Sequence, residues 1–478
     1  MRGWLIQTFE KIEKKYKPQD FIVPAIFSLL VIVRCLAYGR IPGGFNQDGA
    51  LAAVDALALA KHGTDRLGTV LPAHLEAWGY AQMSMLLSYL MVPFFWIWGM
   101  NPITARLPVL LLSIAGSAAV YGLVKFLFNK NIAAVVLLFL AVNPWHFMQS
   151  RWALDCNLFP HLFLIGLYFL VTGIEKRKRI YLSMFFFSLC LYAYGVAFFM
   201  VPFFLLSACI ILIRNKNIDF KQAAAAGLLH IMFSWPIYIT MLINFMRWRT
   251  VKLPFVTMQY FSDSVRSSDI LFFSKTPIKQ LFSNIKSLLN VVFLQKPDLP
   301  WNAISDFGTM YLWSMPFIIL GVVITFYQCR KETNLKLRLG LHLLLAYYIC
   351  SIILGICINY VNINRINIIF YAHIIFAGVG IYYTIKKIKW TFVCFILFYS
   401  VGSMMFFTNY FTTWSVEIKE HFYEDFLEAI DYAQEYECDY YYITPDTQFQ
   451  GAWNVSQVLT LYRMEIDALY FKEKPMCF

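Results

Sequence analysis

Charge is what this 478-residue sequence has least of: 14% of its residues are Asp, Glu, Lys or Arg, against about 25% in an ordinary soluble domain. Runs such as VVLLFLAV and FFMVPFFLLSACIILI hold no charge at all to turn toward water, which excludes a water-soluble globule. The ten cysteines form no CxxC pair and lie mostly inside apolar runs. That argues against a metal knuckle or a disulfide framework, and leaves them as small buried groups. Also absent is a small-residue cleavage site after the first apolar run, 21–39, which ends in RIPGGFN. The run therefore reads as a retained helix and not as a signal peptide.

What is present is apolar and aromatic: 59% hydrophobic residues, with 45 Phe, 29 Tyr and 13 Trp. Further runs stand at about 81–99, 105–124, 131–148, 158–173, 180–194, 196–213, 223–243, 309–328, 339–358, 366–383 and 390–407. They fit the requirement of about 20 apolar residues per bilayer crossing. The expectation is an all-α polytopic membrane protein with about 11–13 transmembrane helices. The pair 180–194 and 196–213 is either a tight hairpin or one bent element.

The net charge of +12 does not point to nucleic acid, because the basic residues gather in short loops: EKRKRI (175–180), CRKETNLKLR (329–338) and TIKKIKW (384–390). This is the positive-inside pattern of a cell-membrane protein. Lys11, Lys14, Lys15 and Lys17 put the N-terminus in the cytoplasm, and the C-terminus then falls outside. Run 81–99 breaks the inside–outside alternation unless it is re-entrant or broken. Residues 1–407 read as the transmembrane domain. Within it, 40–80 is a first extracytoplasmic loop whose Ala/Leu-rich stretch 50–59 is expected to lie along the membrane interface. Residues 408–478 hold thirteen acidic residues against four basic ones and read as a small extracytoplasmic α/β appendage. There Phe422, Phe426 and Ile430 mark a helix face, and CDYYYIT (438–444) reads as a strand.

Three places bring chemistry to the predicted outer face. Asp48, in IPGGFNQDGA, is either a helix N-cap or a carboxylate that acts as base or binds a cation beside a phosphate. Asp155 ends NPWHFMQSRWALDCN, where Arg151 stands four residues earlier and Asn157 two later. An Arg and Asp at that spacing pair on one helix face, yet an ionisable group near membrane depth is more often functional, and a guanidinium there suits a sugar phosphate. Arg365 sits among Asn359, Asn362, Asn364 and Asn367, a set that fits phosphate and sugar hydroxyls. His74, Glu76 and His62 fall short of a zinc signature. Mg²⁺ or Mn²⁺ held by two acids and a substrate phosphate fits the residue types, with Asp48, Asp155, Glu76 and His74 as candidate ligands, and metal dependence stays open.

Five segments in order, NQDGA (46–50), GTDRLGTVLP (63–72), GMNPITARLP (99–108), NPWHFMQSRWALDCNLFP (143–160) and NINRIN (362–367), resemble the GT-C class of polytopic glycosyltransferases. The likeness is to the aminoarabinose transferase of lipid A and the protein O-mannosyltransferases. That resemblance implies transfer of a sugar from a polyprenyl phosphate on the outer membrane face to an envelope glycan, lipid or protein. By it, Asp48 and Asp155 are the catalytic acids, Arg365 meets the donor phosphate, and Glu76 is a further acid of the site. Gly49 stands where the family usually has Glu. A flippase for a lipid-linked sugar is the rival class. It would need polar groups at mid-membrane and an internal repeat, and no repeat is evident. A surface polysaccharide ligase or polymerase shares the same substrates.

Overall fold

Asparagine and aspartate punctuate the apolar runs, and several helices begin at them. The computed structural model describes residues 18–78, 81–262, 270–436, 440–443 and 453–467. It opens with α1 (Pro18–Cys35) and α2 (Gln47–His62), followed by a two-stranded ribbon of β1 (Leu75–Ala77) and β2 (Ala81–Met83). Then come α3 (Leu86–Trp98), α4 (Pro102–Leu127), α5 (Lys130–Val142) and α6 (Pro144–Gln149). A single helical turn at Asp155–Asn157 runs into α7 (Leu158–Gly173), and α8 (Lys178–Ala193), α9 (Ala197–Arg214) and α10 (Phe220–Met246) follow. A second ribbon, β3 (Val251–Leu253) with β4 (Val256–Met258), precedes α11 (Pro277–Val292), α12 (Met315–Lys331), α13 (Leu335–Cys357) and the four-residue α14 (Ile363–Ile366). The chain closes with α15 (Ile368–Lys387), α16 (Thr391–Phe411), α17 (Thr413–His421), α18 (Glu424–Gln434) and α19 (Trp453–Arg463). Asn101, Asn129, Asn143, Asp219 and Asn334 cap α4, α5, α6, α10 and α13, each accepting first-turn amide hydrogens that the helix cannot pair itself.

The fold is a helical polytopic membrane bundle. Among the described residues, eight helices are long and apolar enough to cross a bilayer, and Phe21–Cys35, Leu86–Trp98 and Lys130–Val142 are apolar but shorter. The run at 81–99 divides into β2 and the 13-residue α3. At 1.5 Å per residue that helix reaches about 20 Å, short of the roughly 30 Å hydrocarbon core. Runs 180–194 and 196–213 are two helices, α8 and α9, joined by the turn Tyr194–Val196.

The Ala/Leu-rich segment is covered by protein: Gly49 to Leu59 of α2 are all buried. A helix that is apolar on every side is a core helix, and α2 packs against α3 on one flank and α19 on another. The predicted strand 438–444 is corrected over its described part alone. Residues 438, 439 and 444 lie outside the described residues, and 440–443 form no strand. The described parts of the tail are otherwise helical, with Arg463 of α19 ion-paired to Asp431 of α18. The tail is joined to the rest by backbone: the Phe45 amide donates to the Phe422 carbonyl at 2.6 Å, and the Phe45 and Tyr462 rings stack at 4.5 Å. Gly44, at φ +64°, permits this approach, since a Cβ there would meet the Phe422 carbonyl oxygen at 2.2 Å.

Inside α2, Asp55 is fully buried and pairs with Arg66, whose Nη1 lies 2.8 Å from Oδ2 while its backbone amide donates to Oδ1 at 3.0 Å. Burial raises the Asp55 carboxyl from 3.8 to about 6 in spite of Arg66. A folded value above the unfolded one means the folded state holds the proton more tightly. The stability Asp55 contributes is then full below 3.8 and is lost as pH rises through about 6. The unfolding temperature in detergent should fall across that window, and Asp55→Asn should flatten the slope. Asp55→Ala strands a largely buried guanidinium and should cost about 3–5 kcal/mol by the same melt.

Candidate functional site

The first turn of α2 is capped by Asn46, whose Oδ1 accepts the Asp48 amide at 3.0 Å. Asp48 is thereby released from capping. Its carboxylate, favoured by the positive end of the helix, accepts the Trp78 indole Nε1–H at 3.0 Å. Beside it the Tyr423 hydroxyl donates to Gln47 at 2.8 Å. Burial first, and the Asp48 charge among the rest, push that phenol up to about 12. It therefore stays a proton donor at neutral pH.

Gly49 explains how α2 reaches the second acid. A Cβ at 49 would come within 2.6 Å of the Ala153 carbonyl and 3.0 Å of the Phe45 ring. Any side chain, Glu included, would push the first turn of α2 away from the segment that carries Asp155. That segment leaves α6 at Gln149, runs without helix through 151–154 and turns at Asp155–Asn157. Asp155 is buried and accepts the Cys156 amide at 2.7 Å. Its neighbour Asn157 donates to the Trp152 carbonyl at 3.3 Å.

Arg151 does not share a helix face with Asp155, because the helix has already ended. Fully buried, it donates from Nη1 to the Arg34 carbonyl, from Nη2 to Leu36 at 2.7 Å and Ile41 at 3.0 Å, and from Nε to the Tyr410 hydroxyl at 3.1 Å. Arg106, also buried, donates to the carbonyls of Pro42 and Gly44 at 3.0 and 2.9 Å. Two guanidiniums thus grip the loop that delivers Asp48. Arg151 spends its donors on three backbone carbonyls and the Tyr410 hydroxyl.

The Arg365 segment is fastened to the Asp155 turn. Asn367 Nδ2 donates to the Cys156 carbonyl at 2.7 Å, and Asn362 caps α14 by accepting the Arg365 amide at 2.9 Å. Arg365 is half-buried, donates to the Asn359 carbonyl at 2.8 Å and lies over the Tyr360 ring. Asn364 leaves a buried Oδ1 without a hydrogen-bond partner. A third acid, Asp298, ties this segment down, accepting the Ile363 amide with one oxygen and the Leu299 amide and Asn302 side chain with the other. Asp155, Asp48 and Asp298 all act electrostatically on the Cys156 thiol. All three carboxylates thus lie within electrostatic reach of Cys156.

His74 and Glu76 lie in the strip that leads to Trp78. The His74 ring is buried between Phe198 and Phe261, each 6.3 Å away. Glu76 is half-buried in β1 opposite Gln82, and its carbonyl accepts from Arg66 at 3.0 Å. His62 pairs with Asp467 at 2.9 Å. Among the described residues, no three His, Cys, Asp or Glu groups stand together in a metal-holding set. Sequence reasoning missed Asp298, Trp78 and Tyr423. Asp298 carried a signal, since it sits in PDLPW between two prolines, which is turn chemistry in a long polar stretch. Trp78 and Tyr423 carried none, being two aromatics among many.

Residues 82–245 match the dolichyl-phosphate-mannose-protein mannosyltransferase family. The fold is similar to that of the Archaeoglobus fulgidus oligosaccharyltransferase in the apo form, with TM-score 0.54 and 11% identity over 92% of this chain and 63% of that one. It is also similar to AglB from the same organism in complex with an inhibitory peptide and a dolichol-phosphate, with TM-score 0.52 and 14% identity over 92% and 59%. ArnT from Cupriavidus metallidurans bound to undecaprenyl phosphate matches with TM-score 0.51 and 12% identity over 94% and 75%. The chain spans less than two thirds of the archaeal proteins' length. No curated protein matches it in sequence. The chain has the GT-C fold shared by these membrane glycosyltransferases, as the resemblance in its motifs led one to expect.

Gly49→Ala places a methyl against the Ala153 carbonyl and should destabilise the protein by about 1–3 kcal/mol. A thermal melt in detergent measures the loss.

Proposed function

We propose that the protein transfers a sugar from a polyprenyl phosphate to an envelope acceptor at the outer face of the membrane. One observation carries this reading: Asp48 from α2, the Asp155 turn and the Arg365 segment, far apart in sequence, are drawn together, the last two by the Asn367–Cys156 bond. A scaffold has no need of such convergence. The likeness to solved structures of AglB with a dolichol-phosphate and ArnT with undecaprenyl phosphate supports a lipid-phosphate donor.

In the mechanism that follows, Asp48 takes the proton of the acceptor hydroxyl as that oxygen attacks the anomeric carbon. The bond from the anomeric carbon to the phosphate oxygen breaks, and the lipid phosphate leaves with the electron pair. Arg365 stabilises the charge that grows on it. Phosphate is a good leaving group, so no strong general acid is required. Direct displacement inverts the anomeric configuration. Trp78 fixes the Asp48 carboxylate, and Asp155 orients the sugar or acceptor hydroxyls. Asn362 and Asn364 border the phosphate, the orphan Oδ1 of Asn364 offering an acceptor for a donor hydroxyl. Asp298 is a positioning residue, since its oxygens hold backbone. Two carboxylates and a substrate phosphate would also suit Mg²⁺ or Mn²⁺.

The test is sugar release from labelled polyprenyl phosphate sugars by the purified protein, given a crude envelope acceptor mixture. Asp48→Asn should lower the rate by about 10²–10⁴-fold, and Asp155→Asn should also lower it, with melting temperatures kept. Asp298→Asn should raise KM more than it lowers kcat, and survival of transfer in EDTA would leave the phosphate to Arg365. Full activity in both acid variants sinks the assignment. Transport of intact lipid-linked sugar without release would move the reading to a flippase.

A further inference from the structure

At the other end of the bundle from the carboxylates lies a groove with its own chemistry. A cavity of about 620 Å³ opens between α7, α8, α9 and α10, walled by Leu170, Met184, Leu206, Leu212, Ile231 and other apolar groups. Its polar members are already satisfied: His230 meets Ser188 at 2.9 Å and Tyr238 at 3.0 Å. Leu206 is 60% exposed and Ile231 53%, so the groove opens sideways, where lipid surrounds the bundle. Along α9 it runs from Pro202 to Leu212, about 15 Å at 1.5 Å per residue, a length suited to an acyl chain.

Helix direction fixes which end the mouth faces. α7 begins beside Asp155 and ends at Gly173, so α8 starts, α9 finishes and α10 starts at the far side. There the groove's lining residues Ile180, Leu212, Ile218 and Ala223 alternate in sequence with Lys178, Arg214, Lys216 and Lys221, all four of which are exposed. The acids nearby are engaged: Glu175 pairs with Lys336 at 3.7 Å, and Asp219 caps α10.

An apolar slot with a cationic rim is complementary to a lipid with acyl chains and an anionic head. We propose that this groove binds an anionic phospholipid of the leaflet opposite the carboxylate site. The tail of the sugar donor is a poorer occupant, since its phosphate belongs at the carboxylates. The 16 residues of α7 separate the two ends by about 24 Å, which leaves the basic rim without a partner. The choice of a phospholipid over the donor tail rests on the sugar-transfer reading, whereas the basic rim and the apolar slot do not.

The test uses native mass spectrometry of the full chain in detergent, titrated with phosphatidylglycerol and with phosphatidylcholine of the same acyl chains. The parent should prefer phosphatidylglycerol. The triple variant Lys178→Gln, Arg214→Gln, Lys221→Gln should lose that preference, at about fivefold per charge. Gly227 lines the groove, and a Cβ there meets no atom within 4 Å. Gly227→Phe should therefore fill the slot without a clash and weaken both lipids, with an unchanged melting temperature. Equal binding of the two lipids by the parent would overturn the proposal, as would a preference that survives the triple variant or binding undiminished by Gly227→Phe. Displacement of phosphatidylglycerol by equimolar polyprenyl phosphate would reassign the groove to the donor.

Discussion

Everything at the carboxylate end rests on two arginines that hold carbonyls. The stretch from Arg34, at the end of α1, to Gly44 leaves carbonyls that no continuing helix and no sheet pairs. Arg151 and Arg106 take five of its carbonyl oxygens. Each hydrogen bond to a charged group is worth roughly 1.5–3 kcal/mol, and a buried carbonyl left alone costs a similar amount. Cation–π contacts help make up for the missing carboxylates, with Arg151 over Tyr38, Phe147, Tyr410 and Phe411 and Arg106 over Phe45. The guanidinium's fixed fork is what lets one side chain reach several carbonyls, and a lysine has no equivalent.

A second polar chain lies behind the first. Arg34 reaches the carbonyls of Leu140 and Ala141 and the His146 ring, His146 meets the Tyr371 hydroxyl at 2.9 Å, and Tyr371 meets His161 at 2.7 Å. It joins α1, α6, α7 and α15. The segment between α6 and α7 carries Asp155, so its position is set by hydrogen bonds as well as by packing. In a bundle of smooth apolar helices, such a network gives direction that dispersion alone lacks.

The fold was legible because composition and run length speak directly to the bilayer. The acids Asp48 and Asp155 were legible because charge is rare here and each stands at a helix end. Partnership was not legible. The spacing of Arg151 and Asp155 predicts a shared helix face, but spacing presumes a continuous helix, and this one stops at Gln149. Asp48 reads from sequence as either a cap or a carboxylate with chemistry of its own, and Asn46 two residues earlier does the capping. The burial of α2 was written in its all-round apolar face and was outweighed by its place between polar stretches. The tail's strand was read from β-prone tyrosines that, over the described residues 440–443, form no strand.

The bond between Phe45 and Phe422, with Gly44 against the same carbonyl, also bears on biosynthesis. The loop that presents Asp48 emerges from the ribosome among the first segments of the chain, and its backbone partner emerges nearly four hundred residues later. Until α16 and α17 have been made and the tail has come round to meet it, the loop before Asp48 lacks that backbone partner. A partly inserted chain therefore has no complete site.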